Sequence, residues 1–217
     1  MKRIILFFIG LVCLSYLAKA QFYEDKTWML GASVGYQHPT GDFGDYAKSG
    51  PVFRLNGLRM LSRKVAVGAE LGCSLFGQSD IWDVGYASAY DVKYYLFSAQ
   101  VKASYFFDTW DRDFRPYISG ALGYFQYRNV IEFMSVNSSD ETKNTLKENK
   151  MGLTPILGFL YHLSDNWTFD MNLRYTYILD FSGYITTQDE DGDDYEYYLG
   201  FDKIALPEIS VGLYYRF

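Results

Sequence analysis

The chain has 217 residues, a formal net charge of -6 and 19% aromatic residues, with 21 Tyr, 17 Phe and 19 Gly against 5 Pro. The acidic balance argues against nucleic-acid binding, and the length suits one domain. Two cysteines, Cys13 and Cys73, are too few for a disulfide framework or a cysteine-based metal site.

In chain order the first feature is "MKRIILFFIGLVCLSYLAKAQ". Lys2 and Arg3 precede an apolar run from Ile4 to Leu17, too short and wrongly flanked for a spanning helix. Ala18-Lys19-Ala20 reads as a cleavage site, so residues 1–20 are expected to be a signal peptide. Residues 21–217 then form the mature domain, beginning at Gln21. A lipid anchor on Cys13 would need a smaller residue than Val12 before it. After cleavage Cys73 is the remaining cysteine, so no intrachain disulfide is expected.

The spacing of the mature chain predicts eight strands, about Thr27–His38, Pro51–Leu61, Lys64–Phe76, Lys93–Phe107, Arg115–Arg128, Lys150–Leu163, Trp167–Phe181 and Ile204–Phe217. Each reaches or exceeds the ~9–11 residues of a tilted membrane-spanning strand. The connections alternate in length. "LSRK", "DTWDRDF" and "LSDN" are short, while 39–50, 77–91, 129–149 and 182–203 are long. An up-and-down meander with an even strand number gathers all long loops at one end. It gathers the short turns and both termini at the other, the asymmetry of an outer-membrane barrel.

The strand near the C-terminal loop shows the alternation best. Trp167, Phe169, Met171, Leu173, Tyr175, Tyr177 and Leu179 share one face; Thr168, Asp170, Asn172, Arg174 and Thr176 share the other. The first, third, fourth and last strands repeat the pattern. The second, fifth and sixth do not fix a register. A lipocalin-like barrel would turn the apolar face inward and a membrane barrel would turn it outward. The polar face is mostly Gly, Ser, Ala and Thr with single charges, which suits the narrow inside of an eight-stranded barrel. Trp28, Tyr105, Phe107, Trp167, Tyr215 and Phe217 at one end, with Tyr36 and Tyr177 at the other, predict two interfacial girdles. Cys73 is then expected to face lipid.

On this register Arg54, Glu70, Lys102, Asp170, Arg174 and Glu208 enter the lumen, three bases against three acids. A buried charge needs partners, so an ion-pair network plugging the lumen is expected, with Arg174 serving Asp170 or Glu208. A proton or ion path is the sharper alternative.

Together with the "AKA-Q" site and the eight-strand meander, the terminal "GLYYRF" resembles small outer-membrane β-barrel proteins of the OmpA-type and OmpX-like kind. The likeness is closest to PorT-like barrel-domain proteins of Bacteroidetes. The resemblance implies insertion by the barrel-assembly machinery, with Tyr215 and Phe217 resembling its terminal signal. It also implies a Gram-negative outer membrane with lipopolysaccharide around the barrel, long loops extracellular and termini periplasmic. Such families supply tethering structures, adhesins or parts of secretion machinery. Phe217 ends both strand and chain, so no peptidoglycan-binding domain is expected to follow.

Enzymatic chemistry is not expected. His38 near Asp42 permits a lipid-modifying site, but no nucleophile–base spacing singles one out. "DEDGDDYE" concentrates Asp189, Asp191, Asp193, Asp194 and Glu196, an oxygen cluster of the kind calcium favours. Gly192 stands fourth rather than sixth, so this is not an EF-hand loop. A solvated acidic loop is the plainer reading, and no metal or cofactor is expected. Tyr184, Tyr195, Tyr197, Tyr198 and Phe201 beside it suit contact with other proteins. The functional expectation is a closed, polar-lumen barrel with a structural or interaction role through its loops. A secretion-machine subunit, a narrow pore and a lipid-modifying enzyme are the alternatives.

Overall fold

The structure is a computed structural model that describes residues 28–79, 90–108, 112–133, 142–179, 184–188, 194–198 and 203–217. Its elements in chain order are β1 (Trp28–Gln37), α1 (Asp42–Tyr46), β2 (Gly50–Met60), β3 (Val65–Phe76), β4 (Tyr90–Phe106) and β5 (Phe114–Phe133). Then follow β6 (Thr142–His162), β7 (Trp167–Ile178), β8 (Tyr184–Gln188), β9 (Asp194–Tyr198) and β10 (Ala205–Arg216). Eight strands close in the order β1-β10-β7-β6-β5-β4-β3-β2, while β8 and β9 pair as a separate hairpin. The signal-peptide expectation lies outside the described residues.

Closure follows from the chain ends. β1 pairs antiparallel with β10 from Met29↔Arg216 to Gln37↔Glu208, and the Phe217 amide donates to the Trp28 carbonyl at 2.9 Å. A closed ring leaves no strand edge with unpaired backbone groups, the condition for a sheet in hydrocarbon. Two short turns share one local cause. In "LSRKV" and "LSDNW" the serine hydroxyl accepts an amide three residues on, Val65 to Ser62 at 3.1 Å and Trp167 to Ser164 at 3.2 Å. Ser therefore terminates each ladder by capping its own turn.

The wall has the sidedness the alternation predicts. Leu173 and Leu213 are 55% and 43% exposed, whereas Arg174 is 5% exposed. Trp28, Tyr105, Phe107, Trp167 and Phe217 are exposed at the short-turn end, and Tyr36 and Tyr177 at the other. Tyr215 is half-buried between Trp167 and Phe217, at ring distances of 5.1 and 5.0 Å. Cys73 lies on the outward face of β3, which is the odd-numbered face opposite Glu70 and Ser74.

Three strands carried no clear rhythm in sequence, and the structure supplies the reason. On β2, β5 and β6 the inward positions include Val52, Leu58, Tyr117, Phe125, Tyr127, Ile156 and Leu160, all buried. Apolar residues on both faces erase a two-residue period. The interior is consequently not polar throughout as expected: apolar layers lie on either side of a polar middle.

Two further differences concern the long connections. The segment 129–149 was expected to be loop, yet β5 continues to Phe133 and β6 begins at Thr142, paired through Phe133↔Thr142. The segment 39–50 contains α1, and 182–203 contains the β8–β9 hairpin.

Gly31 on β1 faces Tyr214 of β10 inside the seam, where an added Cβ would lie 2.7 Å from the Tyr214 ring and against the Leu213 carbonyl. Gly31→Val is expected to destabilise the barrel by about 1–3 kcal/mol, the usual cost of overpacking. A lower urea midpoint for the fast-migrating folded band on unheated gels would register it.

Candidate functional site

The candidate site is the charge layer at mid-lumen. Arg174 on β7 reaches across the barrel to Glu70 on β3, which stands opposite it on the ring. Arg174 Nη1 donates to Glu70 Oε2 at 3.2 Å, and Nη2 donates to Oε1. Such a fork fixes both planes and is stronger than a point contact. Lys102 Nζ lies 3.7 Å from the same carboxylate and Arg54 Nε 3.8 Å from it. Gln100 Nε2 also donates to Glu70, at 3.1 Å. Glu70 is thus the hub, with its side chain fully enclosed.

Glu208 on β10 forms the second pair. Arg54 on β2 donates to both its oxygens, Nη2 to Oε2 at 2.6 Å and Nη1 to Oε1. Gln37 Nε2 adds a bond to Oε2 at 2.8 Å. The pair passes over β1 because that strand has Gly35 there; an added Cβ would lie 2.9 Å from Glu208 Oε1. Asp170 has neutral donors instead: Tyr117 Oη at 2.8 Å and Asn172 Nδ2 at 2.7 Å. Ser210 donates on to Asn172 at 2.7 Å.

The structure therefore gathers all six predicted charges into one layer but corrects the partner of Arg174. Asp170 or Glu208 was expected from proximity along the wall, and Glu208 is indeed its cross-strand neighbour. Arg174 reaches inward and meets the carboxylate that Glu70 extends from the opposite wall. The neighbouring acid is left to Arg54.

Apolar layers close both ends of this charge. At the long-loop end Phe43 of α1 inserts into the mouth, edge-on to Phe76, Tyr94 and Tyr127 at 5.7, 5.6 and 6.2 Å. Val92, Leu96, Phe125, Ile178 and Leu206 complete that layer. The α1 segment is strapped at both sides by bridges Thr40↔Ala205 and Ala47↔Gln78. At the short-turn end Met29, Leu58, Phe106, Tyr117, Ile156, Leu160 and Tyr214 form the second layer. Beneath it Arg115 lies over the Phe106 ring at 4.3 Å and donates to the Arg63 carbonyl at 2.9 Å.

Sequence reading missed Phe43 and the neutral partners Tyr117, Gln100 and Thr154. Thr154 Oγ1 donates to Gln100 Oε1 at 3.0 Å, joining the hub to β6. A Phe between two glycines in "GDFGD" was the available signal for an inserted loop residue.

Other predicted positions stay apart. His38 Nδ1 lies 2.6 Å from Ser49 Oγ on the exposed rim. His162 Nδ1 sits 2.9 Å from Thr168 Oγ1 and 3.0 Å from Arg216 Nη1 at the other end. Among the described residues no three His, Cys, Asp or Glu side chains gather around a metal position. Asp189, Asp191 and Asp193 lie outside the described residues, and Asp194 and Glu196 fall on β9.

A family model described as the outer membrane protein beta-barrel domain matches residues 4–217. Among solved structures, Neisserial surface protein A is 17% identical, with a TM-score of 0.53, covering 90% of this chain and 100% of that one. Ail, the attachment invasion locus protein of Yersinia pestis, is 12% identical, with a TM-score of 0.51, covering 89% of this chain and 99% of its own. The outer membrane protease OmpT from Escherichia coli is 8% identical, with a TM-score of 0.51, covering 92% and 100%. No curated protein sequence matches. Likeness at these identities concerns the fold alone.

Arg174→Ala is expected to cost about 3–5 kcal/mol, because it leaves the Glu70 hub under-compensated in a dry interior. A paired Arg174→Leu, Glu70→Leu replacement is expected to recover much of that loss. Urea refolding midpoints in detergent micelles measure both, and an Arg174→Ala barrel as stable as the parent contradicts the network.

Proposed function

The chain belongs to the outer membrane protein beta-barrel domain family, and on that premise we propose a closed, non-conducting barrel of the bacterial outer membrane that acts through its long-loop end. The observation that carries the reading is a tongue of three strands. β4 and β5 stay paired up to Tyr90↔Phe133, and β5 and β6 up to Phe133↔Thr142. Their neighbours stop earlier, at Phe76↔Tyr94 on β3 and Gly152↔Ile178 on β7. Paired strands beyond the wall need no lipid around them, so the tongue and the β8–β9 hairpin suit contact with other proteins. Loop-length asymmetry supports placing this end outside the cell and the termini in the periplasm.

The remaining alternatives are weighed by geometry. Among the described residues an apolar layer lies on either side of the charge layer, which favours a structural or interaction role over a pore. The fold itself is neutral on catalysis, since an attachment protein and a protease share it. His38 meets Ser49 through Nδ1 on an exposed rim, a poor start for a hydrolase, and the non-enzymatic reading is preferred. The PorT-like resemblance suggests a place in a secretion or assembly machine. Co-purifying proteins after mild detergent extraction decide between a lone barrel and a subunit. Tyr215, across from Leu30 in the β1–β10 seam, and Phe217, whose amide bonds to the Trp28 carbonyl, suit recognition by the barrel-assembly machinery.

Purified protein in planar bilayers is expected to give no steady single-channel steps. Phe43→Ala is expected to stay silent too, because the charge layer and the second apolar layer remain. Regular steps from the parent protein overturn the closed-lumen reading.

A further inference from the structure

A proline inside a closed barrel costs a rung, because no strand has a free edge toward which its missing N–H could turn. Two of the five prolines in the chain stand beside one residue. Pro207 on β10 pairs with Tyr175 on β7. On the other side of Tyr175, the pairs Leu153↔Tyr177 and Ile156↔Arg174 set Pro155 of β6 in register with it, and the ladder has no pair at Thr154 or Pro155.

Hydrogen-bonded pairs alternate along an antiparallel ladder. The Leu179 amide donates to the Met151 carbonyl at 2.7 Å, so every second residue of β6 from Met151 onward, Pro155 included, faces β7. Pro155 has no hydrogen to offer, and the Tyr175 carbonyl loses its strand donor. The His38 amide donates to the Pro207 carbonyl at 2.9 Å, so Pro207 faces β1. It returns no bond to the His38 carbonyl, and the β1–β10 ladder ends one pair below, at Gln37↔Glu208.

Past this row β7 and β10 remain joined to each other. Ala205 pairs with Tyr177 and Leu206 with Thr176, and the Ile178 amide donates to the Ile204 carbonyl at 3.0 Å. Residues 176–179 and 204–206 are therefore one two-stranded piece, weakened along both outer edges at the same level. On the β6 side it keeps rungs at Leu153 and Met151. Across the broken rung Thr154 Oγ1 and Thr176 Oγ1 lie 3.1 Å apart. Gly152, which faces Ile178, has no side chain to hold it. On the β1 side the Thr40 amide and Oγ1 both donate to the Ala205 carbonyl, at 3.0 and 3.1 Å.

The inner face of the piece is apolar. Ile178, Ile204 and Leu206 are buried in the long-loop layer with Phe43. Outward, Tyr177 is exposed at the level of the girdle, so the backbone above the row lies at the interface, where water takes over freed hydrogen bonds. Below the row hydrocarbon offers no such replacement. The prolines thus stand where opening the wall changes from costing little to costing much.

We propose that residues 176–179 of β7 and 204–206 of β10 form a flap hinged on the row of Pro155, Tyr175 and Pro207. The flap swings away from β6 and β1 as a unit and withdraws Ile178, Ile204 and Leu206 from the apolar layer over the charges. β8 and β9 lie between its two strands in the chain, so it gives the β8–β9 hairpin a mechanical route to the lumen. The charge layer and the short-turn layer stay in place, and opening makes no pore. This device goes beyond the interaction role and operates with or without a partner at the long-loop end.

Amide hydrogen exchange of the full chain in lipid nanodiscs, read residue by residue by NMR, tests the flap. The Leu179 and Thr40 amides bond across its edges. They are expected to exchange about tenfold or more faster than the amides of Leu173 and Ile209, which lie on the same strands below the row. The Ile178 amide, bonded inside the flap, is expected to stay as protected as Leu173. A P155A/P207A variant restores both donors and is expected to slow exchange at Leu179 and Thr40 about tenfold, with Ile178 unchanged. Leu179 and Thr40 as protected as Leu173 and Ile209 in the parent protein overturn the proposal. Exchange of Ile178 in step with Leu179 describes frayed strand ends and overturns it as well, as do equal Leu179 and Thr40 rates in parent and variant.

Discussion

Arg174 and Glu70 meet from opposite walls of the barrel, and the interior is arranged around enclosing that contact and surrounding its carboxylate with donors. Removing an ion from water costs several kcal/mol even after relaxation. Attraction offsets this only when geometry is good and the remaining polar atoms are satisfied. Here Glu70 also takes Lys102 and Gln100, while Glu208 takes Arg54 and Gln37. The apolar layers above and below exclude the water that would otherwise compete. Phe43 matters in this light: a residue from a long connection completes the long-loop layer.

The outer surface answers a different solvent with the same strands. In hydrocarbon every backbone amide and carbonyl must find a partner within the sheet, which the β1–β10 seam provides. Leucines, valines and aromatics facing outward then cost nothing, since lipid replaces a protein core. This explains how the chain does without a disulfide among its described residues. The long-loop rim is where both solvents end. There the lipid-facing rhythm gives way to Gln126, Arg128, Lys147 and Asn149, and the strands of the tongue continue into water.

Legibility in the sequence tracked the cleanliness of the alternation. Along their middle stretches β1, β3, β4, β7 and β10 place small or polar residues inside and apolar ones outside, so a period of two located both strand and face. β2, β5 and β6 supply Leu58, Tyr117, Phe125, Ile156 and Leu160 to the interior layers, so their inward face resembles their outward one. The strand extension into 142–149 went unread because "TKNTLKEN" has polar composition and little intrinsic strand preference. The charge layer was legible residue by residue, since each member sits on the polar parity of its strand. Its pairing was not. Which acid meets Arg174 depends on barrel diameter and side-chain length, and neither is a local property. Phe43 was hidden for the same reason, as the mouth it fills exists only after closure.

The most direct measurement places nitroxide labels one at a time at 172, 173, 212 and 213, on a Cys73→Ala background in reconstituted bilayers, and reads collision with oxygen and with a water-soluble nickel reagent. Labels at 173 and 213 are predicted to collide with oxygen and to be shielded from nickel. Labels at 172 and 212 are predicted to be shielded from both. Nickel access at 173 and 213, with a protein that stays monomeric once detergent is removed, would contradict the inside-out arrangement of charge and apolar surface.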